Sequence, residues 1–220
     1  MKWKKKIGII GAGKHFEEKI YPILSKSKFF NIEGILRKKN KSFNKIKIFS
    51  ENNFFKQKFE FVYISCPNKL HEKFIIKSLK AGYHVICEKP FITEKKNLNY
   101  ILRLAKKKKK LLFEGFMYAY HPVFFYLKKI IKTKKYGKIN YILSNFRFPP
   151  LDKNNNRYKS KIGGGFFYDS ASYLISLESY LFDNFPKNFR FKSKKIKKYV
   201  DLKGFIYWEQ NNISRHYFWG

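Results

Sequence analysis

The chain has 220 residues, enough for one large domain or two small ones with an apolar core. Its net charge is +34, but 44% of its residues are hydrophobic, and this share excludes a wholly disordered basic tail. Two cysteines exclude a disulfide scaffold and favour a reducing compartment. The apolar run after the first lysines is too short for a signal peptide, and no apolar run is long enough to span a membrane. We therefore expect a cytoplasmic protein without membrane association.

The positive charge comes mostly from lysine, since only 6 of the 49 basic residues are arginine. Proteins that read nucleic acid rely on arginine for bidentate contacts, so a nucleic-acid partner is not expected. We interpret the lysines as a solvated surface set by composition rather than as a surface for a polyanion. A basic nucleic-acid-binding protein stays as an alternative function.

The first half of the chain alternates strand and helix patterns. Strands are predicted at 5–13, 31–38, 59–67, 83–90 and 110–116, and helices at 15–27, at 71–82 and from Thr93 onward. This alternation is typical of βαβ units with a parallel sheet. We predict an α/β fold whose residues 1–120 form a Rossmann dinucleotide-binding domain.

The second half follows a different pattern. A helix is predicted near 121–133, an alternating strand at 138–148, a helix at 163–183 after three glycines, and antiparallel strands over 187–219. We therefore expect residues 121–220 to form an α+β domain with a mainly antiparallel sheet.

A glycine pair lies where the first strand meets the first helix. Gly11 would permit the tight turn, and Gly13 would let the backbone and the helix N-terminus approach a pyrophosphate. We add Lys14 to these candidate cofactor-binding residues. The third glycine of the usual fingerprint is replaced by Phe16, which predicts a looser contact between helix and strand. A generic turn between strand and helix is the alternative interpretation.

The end of the second strand bears on the choice of cofactor. An acidic residue there would bind the ribose 2′-hydroxyl of NAD, and Leu36 cannot do so. Arg37 and Lys38 could bind a 2′-phosphate instead, which favours NADP over NAD, unless they are simply two more basic surface residues.

Four ordered motifs resemble one enzyme family. Residues 66–90 read CPNKLHEKFIIKSLKAGYHVICEKP, and related stretches follow: EGFMYAYHPVF at 114–124, YGKI at 136–139 and NNRYKSKIGGGFFYDSASY at 155–173. They are similar to the Gfo/Idh/MocA oxidoreductases, whose members carry P-N-x-x-H after one strand and E-K-P at the end of the next. The resemblance covers roughly residues 5–180.

In the first half, the resemblance implies a catalytic lysine at Lys89, preceded by a cofactor-shaping Glu88 and followed by a cis peptide bond to Pro90. It also implies that Pro67, Asn68 and His71 line the nicotinamide and ribose. Lys89 follows a strand at the edge where parallel sheets present ligands, and a lysine there can donate to a hydroxyl or carbonyl oxygen.

In the second half, the resemblance implies that Asp169 orients the substrate and that Tyr173 acts as acid and base. The two residues are four apart and should share one helix face. Asn156 would help to place the substrate ring, and Arg157 would contact cofactor or substrate. A core aromatic beside a capping acid is the alternative interpretation of Tyr173 and Asp169.

The expected activity is hydride transfer between nicotinamide and a carbinol or carbonyl carbon of a sugar or polyol, with no metal. The cysteines and nearby histidines, Cys66, His71, His84 and Cys87, have no spacing typical of a metal site. Members of this family are usually longer, so we expect a C-terminally truncated chain with an incomplete second domain, and homo-oligomers if the full sheet were present. An inactive NAD(P)-binding pseudoenzyme is the main alternative.

Overall fold

The computed structural model describes residues 4–37, 43–197 and 200–220, and the chain divides into two compact units, Met1–Gly115 and Phe116–Gly220. The sequence-based boundary after residue 120 falls close to this division and stays a prediction.

The first unit alternates strands and helices as predicted. Its strands are β1 (Lys5–Ile10), β2 (Phe30–Leu36), β3 (Ile48–Phe49), β4 (Phe61–Ile64), β5 (His84–Cys87) and β6 (Leu112–Glu114). Its helices are α1 (Tyr21–Leu24), α2 (Glu51–Phe54), α3 (His71–Lys80) and α4 (Leu98–Lys108). The short β3 and α2 were not predicted, because two and four residues carry too little periodicity to be recognised.

The six strands form one parallel sheet in the order β3-β2-β1-β4-β5-β6, which is the Rossmann order. Alternate residues of β1 enter two different apolar clusters: Ile10 lies with Ile75 and Leu79 of α3, and Ile9 lies with Phe16. Helical segments cover both faces, which explains why these strands have nearly continuous apolar sequences.

The helical segment after β1 differs from the prediction at its start. A π-helical turn, Phe16–Ile20, precedes α1, and Pro22 lies in the first turn of α1, where its missing N–H costs least. Phe16 is fully buried and contacts Tyr21 and Tyr63 with ring centroids 6.2 and 6.3 Å apart. The expected looser contact is therefore not observed, because the ring fills the space between helix and sheet.

The end of α3 agrees with the sequence-based prediction, and the start of α4 does not. Gly82 adopts a φ of +85° just after α3, as expected of a residue that ends a helix. The helix predicted from Thr93 onward starts later than expected: a 3₁₀ turn spans Lys95–Asn97, and α4 begins at Leu98.

The second unit contains helices α5 (Pro122–Thr133) and α6 (Ser172–Phe182) and strands β7 (Tyr141–Phe146), β8 (Arg190–Lys197), β9 (Val200–Gln210) and β10 (Ile213–Trp219). The sheet order is β7-β10-β9-β8, with one parallel pairing, β7 with β10, and two antiparallel pairings. A mainly antiparallel sheet is thus confirmed. Trp208, Tyr217 and Trp219 of this sheet share an apolar cluster with Leu174 of α6.

Candidate nucleotide-binding and catalytic site

The residues singled out in the first unit follow one row across its sheet. The row runs through paired strand ends: Leu36, Ile10, Ile64, Cys87 and Glu114. The segments that come next in the chain begin with Arg37, Gly11, Ser65, Glu88 and Gly115. Parallel strands thus bring the glycine loop, the P-N turn and the E-K-P segment to one carboxyl edge, where such sheets bind ligands.

The two loop glycines have different physical requirements. Gly11 has a φ of +104°, and a Cβ there would lie 2.4 Å from the backbone nitrogen of Cys66. Its missing side chain therefore lets the ends of β1 and β4 meet. A Cβ on Gly13 would meet only the Gly11 carbonyl oxygen, at 3.6 Å, and Gly13 is exposed. The space beside Gly13 fits a group that approaches the backbone closely.

Helical backbone starts at Lys14, directly after this space. The start of a helix offers free N–H groups and the positive end of the helix dipole to an anion. The Lys14 side chain is largely exposed, and its ammonium lies 3.7 Å from a carboxylate oxygen of Glu18. The glycine loop therefore has the features that a pyrophosphate requires.

Arg37 lies at the end of β2, beside the glycine loop. Its guanidinium donates to the Glu17 carboxylate over 2.9 Å and lies 5.4 Å from the centroid of the Phe43 ring. The last residue of β2 is Leu36, which is buried, and this strand therefore does not end with an acidic side chain. Lys38, the other candidate for a 2′-phosphate, lies outside the described residues.

His71 connects two of the motifs. The P-N turn continues into a 3₁₀ turn at Asn68–Leu70 and then into α3, which begins at His71. The ring is only 1% exposed, with Nδ1 2.8 Å from the Pro90 carbonyl oxygen and Nε2 2.8 Å from that of Cys66. Burial lowers the pKa of His71, and the two carbonyls oppose that effect. In this structure His71 holds the two segments together.

Glu88 forms a polar cluster at the end of β5. Its carboxylate accepts a hydrogen bond from the Tyr63 hydroxyl and lies 3.6 Å from Nε2 of His15. Burial, and then the Glu88 charge, raise the pKa of Tyr63, so this phenol stays protonated and donates. The carboxylate thus has a fixed partner inside the protein, and its side chain is 17% exposed.

The Lys89–Pro90 peptide bond is cis, as the resemblance implies. The backbone is held on both sides of Lys89: the Glu88 N–H donates to the Ile64 carbonyl over 2.9 Å, and the Phe91 N–H donates to the Glu114 carboxylate over 2.7 Å. Burial raises the pKa of Glu114. Lys89 is half-buried, and hydrogen bonds hold the backbone before and after it.

Three glycines precede α6 in the second unit. Gly163 and Gly165 have φ values of +83° and +126°. A Cβ on Gly164 would lie 2.6 to 2.8 Å from three carbonyl oxygens. The run is therefore required by the geometry of the turn that leads into the π-helical segment Phe167–Ala171 and then α6.

Two of the predicted site residues in this unit meet directly. Arg157 Nε donates to the Asp169 carboxylate, and the Arg157 guanidinium lies 5.5 Å from the centroid of the Phe148 ring. Tyr173, one turn after Asp169, contacts the rings of Phe116 and Phe146 with centroids 5.6 and 5.2 Å apart. Asn156 lies in the 3₁₀ turn Asn156–Tyr158.

Asp201 holds the start of this helix. Its carboxylate accepts from the Phe167 N–H over 2.8 Å and from the Trp219 indole over 2.9 Å. Asp201 thus fixes the turn that carries Asp169 from a strand more than thirty residues away. Sequence reasoning missed Asp201, as it missed Tyr63, Glu114 and Glu17, because each contacts its partner only through the fold.

The two cysteines are both buried and free of disulfides. Burial raises the pKa of Cys66 to about 12 and also raises that of Cys87, so neither thiol is prepared to act as a nucleophile. Within ranges 4–37, 43–197 and 200–220, no group of three or more His, Cys, Asp or Glu could hold a metal ion. Across the same described part of the chain, the helices are too short or too polar for any of them to traverse a bilayer.

Two family models match the chain. Residues 5–116 match the oxidoreductase family with an NAD-binding Rossmann fold, and residues 124–203 match the Gfo/Idh/MocA C-terminal domain. The chain belongs to the Gfo/Idh/MocA oxidoreductase family. The fold, the alternation of elements and the motif assignment inferred from the sequence are thereby confirmed.

Curated relatives match about half of the chain. One is dTDP-3,4-didehydro-2,6-dideoxy-alpha-D-glucose 3-reductase of Actinomadura kijaniata, 32% identical over 114 residues, or 52% of this chain and 34% of that protein. Another is the NADP(+)-dependent D-xylose 1-dehydrogenase 2 of Haloferax volcanii, 28% identical over 116 residues, or 52% of this chain and 35% of that protein. In these alignments the chain covers about a third of each relative's length.

Solved structures share the fold over nearly the whole chain. A 3-ketoreductase from Actinomadura kijaniata, crystallised with NADP and TDP-benzene, matches with a TM-score of 0.88 at 21% identity, covering 99% of this chain and 70% of that one. An aldose-aldose oxidoreductase from Caulobacter crescentus, in complex with glycerol, matches with a TM-score of 0.87 at 17% identity, covering 98% and 70%. At these identities the likeness concerns the fold.

Proposed function

We propose that this chain is an NAD(P)-dependent oxidoreductase that interconverts a hydroxyl and a carbonyl group on a sugar-like substrate, and that NADP is its favoured cofactor. The observation that carries the proposal is the row of strand ends that brings the glycine loop, the P-N turn and the E-K-P segment to one edge of the sheet. Sugar reductases and dehydrogenases among the relatives support the substrate class.

Cofactor binding is assigned to the first unit. Gly11, Gly13 and the N–H groups that start with Lys14 would hold the pyrophosphate, and Arg37 would face the ribose next to the adenine. Pro67, Asn68 and Glu88 would border the nicotinamide side, with His71 holding their backbone in place. The bound nucleotide supplies the hydride, so the protein's task is positioning and proton transfer.

Lys89 is assigned to the reacting oxygen. Its Nζ would donate to the carbonyl oxygen in reduction, and would receive the hydroxyl proton in oxidation. The fixed backbone on both sides of Lys89 supports this assignment, because a catalytic group needs a defined position.

Asp169 and Tyr173 are assigned to the substrate. The Tyr173 hydroxyl would share the transferred proton, and the Asp169 carboxylate, with Arg157 as its partner, would accept hydrogen bonds from substrate hydroxyls. Asn156 would contribute a further polar contact in the same unit. Asp169 lies in the helical segment whose Phe167 N–H is held by Asp201, and Tyr173 follows one turn later, which supports a common role for these two residues.

The proposal is tested by measuring how fast the purified chain turns over keto sugars and aldoses, with NADPH absorbance as the readout. Lys89→Met should lower the rate by about 10²- to 10⁴-fold, and Tyr173→Phe should also lower it. Lys80→Met, on the exposed end of α3, and Tyr180→Phe, two turns further along α6, are matched controls that should keep the rate. Nucleotide binding without turnover of any substrate in the panel would overturn the enzyme assignment.

A further inference from the structure

An ion pair joins the two segments that would border the ribose of the adenosine half. Glu17 lies in the first turn of the helical segment after the glycine loop, and its N–H donates to the Gly13 carbonyl over 3.0 Å. Arg37 follows β2 directly. The distance from Arg37 Nη1 to Glu17 Oε1 is 2.9 Å, and the two side chains are 13% and 41% exposed.

The pair lies beside the glycine loop. Ile10 and Leu36 are register partners at the ends of β1 and β2, and the Gly11 N–H donates to the Leu36 carbonyl over 2.9 Å. The Arg37 guanidinium is thus one residue beyond the point where the glycine loop leaves the sheet. Its place over the Phe43 ring further restricts the side chain.

The charge of Arg37 is therefore shared before any nucleotide arrives. A 2′-phosphate carries nearly two negative charges and would have to share the guanidinium with Glu17. A 2′-hydroxyl carries no charge, and a carboxylate can accept a hydrogen bond from it. The Glu17 carboxylate thus lowers the affinity for NADP and leaves the affinity for NAD unchanged or slightly higher.

We infer that Glu17 is a specificity-determining residue that holds the preference for NADP below the level that Arg37 alone would give. The inference rests on the proposed function, because it assumes that a nicotinamide dinucleotide binds at the glycine loop. The carboxylate that disfavours NADP would thus come from Glu17 on the helical segment, because the end of β2 carries Leu36 instead of an acidic residue.

The test compares the affinities of the full chain for NADPH and NADH by fluorescence titration. Glu17→Gln keeps the size of the side chain and removes its charge. It should raise the ratio of NADPH affinity to NADH affinity by about tenfold, the effect expected when one charge is removed a few ångströms from a dianion near a protein surface. Arg37→Leu should lower the same ratio.

Glu18→Gln is the matched control, because it removes the same charge from the next residue, which pairs with Lys14. The pyrophosphate is common to both nucleotides, so this variant should leave the ratio unchanged. An unchanged or lower ratio in Glu17→Gln, or an equal rise in Glu18→Gln, would overturn the inference alone. Failure of the wild-type chain to bind either nucleotide would overturn the proposed function and this inference with it.

Discussion

The two units bury charge in different ways. Among the described residues of the first unit, His71 is the one buried side chain that can carry a positive charge, no carboxylate is buried, and the buried clusters are apolar. In the second unit, Glu178 and Arg215 are 0% and 1% exposed and form an ion pair of 2.7 Å beneath α6. The helix that carries Tyr173 is thus tied to its sheet by buried ions, whereas the Lys89 segment is tied by backbone hydrogen bonds.

This difference affects how each unit responds to substitution. Glu178 also accepts from the Tyr217 hydroxyl over 2.7 Å, and Arg215 donates to the carbonyls of Gln210 and Ile213. The buried charges of Glu178 and Arg215 compensate each other, so the loss of either one leaves the other buried without its charged partner. In the first unit, the response to substitution depends instead on single glycines whose positions leave no room for a side chain.

The largest expected effect is in the second unit. Glu178→Leu should lower the free energy of unfolding by about 3–5 kcal/mol, because it leaves the Arg215 charge buried without its partner. Asp183→Asn, which breaks the exposed pair with Lys128, is the control and should change stability by about 0–1 kcal/mol. Denaturant unfolding measures both. Equal effects of the two substitutions would show that the buried pair does not hold α6.

The next effect separates two glycines of one loop. Gly11→Ala should destabilise the first unit by about 2–4 kcal/mol, because the residue has a positive φ and a Cβ would overlap the Cys66 backbone. Gly13→Ala should leave the melting temperature unchanged and weaken nucleotide binding, because its Cβ would occupy the open space. The comparison fails if Gly13→Ala destabilises the protein as much as Gly11→Ala does.

A smaller effect is expected at the start of α6. Asp201→Ala should cost about 1–3 kcal/mol, because the Phe167 N–H and the Trp219 indole both lose their acceptor. Asp201→Asn keeps an acceptor oxygen and should restore part of the loss, which thermal unfolding can measure. If Asn proves no better than Ala, the carboxylate does not anchor this turn through these hydrogen bonds.

The fold class and the meeting of the first-unit motifs at one sheet edge could be predicted because the signals are local. Gly11, Gly13, Pro67 and Lys89 each follow an apolar strand within a few residues, and parallel pairing alone brings such positions to one edge. The contact of Phe16 could not be predicted in this way: the fingerprint predicted a looser contact between helix and strand, but the Phe16 ring packs against Tyr63. A motif gives the residue that is unusual, but only the fold shows what surrounds it.

Several contacts around the candidate site could not be predicted, because they join residues that are distant in the sequence. Asp201, Glu114 and Glu17 act on partners that are 34, 23 and 20 positions away. Nothing in the periodicity of their own segments distinguishes them from other acidic residues. The burial of His71 between two carbonyls was likewise invisible, although its motif was recognised.

The last prediction involves no change in the free energy of unfolding and concerns the reactivity of the Cys66 thiol. Because burial raises the pKa of Cys66 from 9.0 to about 12, its thiolate fraction at pH 8 falls by about a thousandfold. Iodoacetamide should therefore label the folded chain very slowly at pH 8, and faster as the pH rises or once the chain is unfolded. Rapid labelling of the folded chain at neutral pH would contradict the burial of both thiols.

The central claim is that the carboxyl edge of the first sheet binds a nicotinamide dinucleotide. Backbone amide NMR spectra of the full chain, recorded during titration with NADP⁺, test it most directly. We expect the largest shifts at the amides of Gly11, Gly13 and Lys14, with further shifts at Asn68 and Lys89. Saturating nucleotide that leaves the glycine-loop amides unmoved, or that shifts only amides elsewhere, would contradict it.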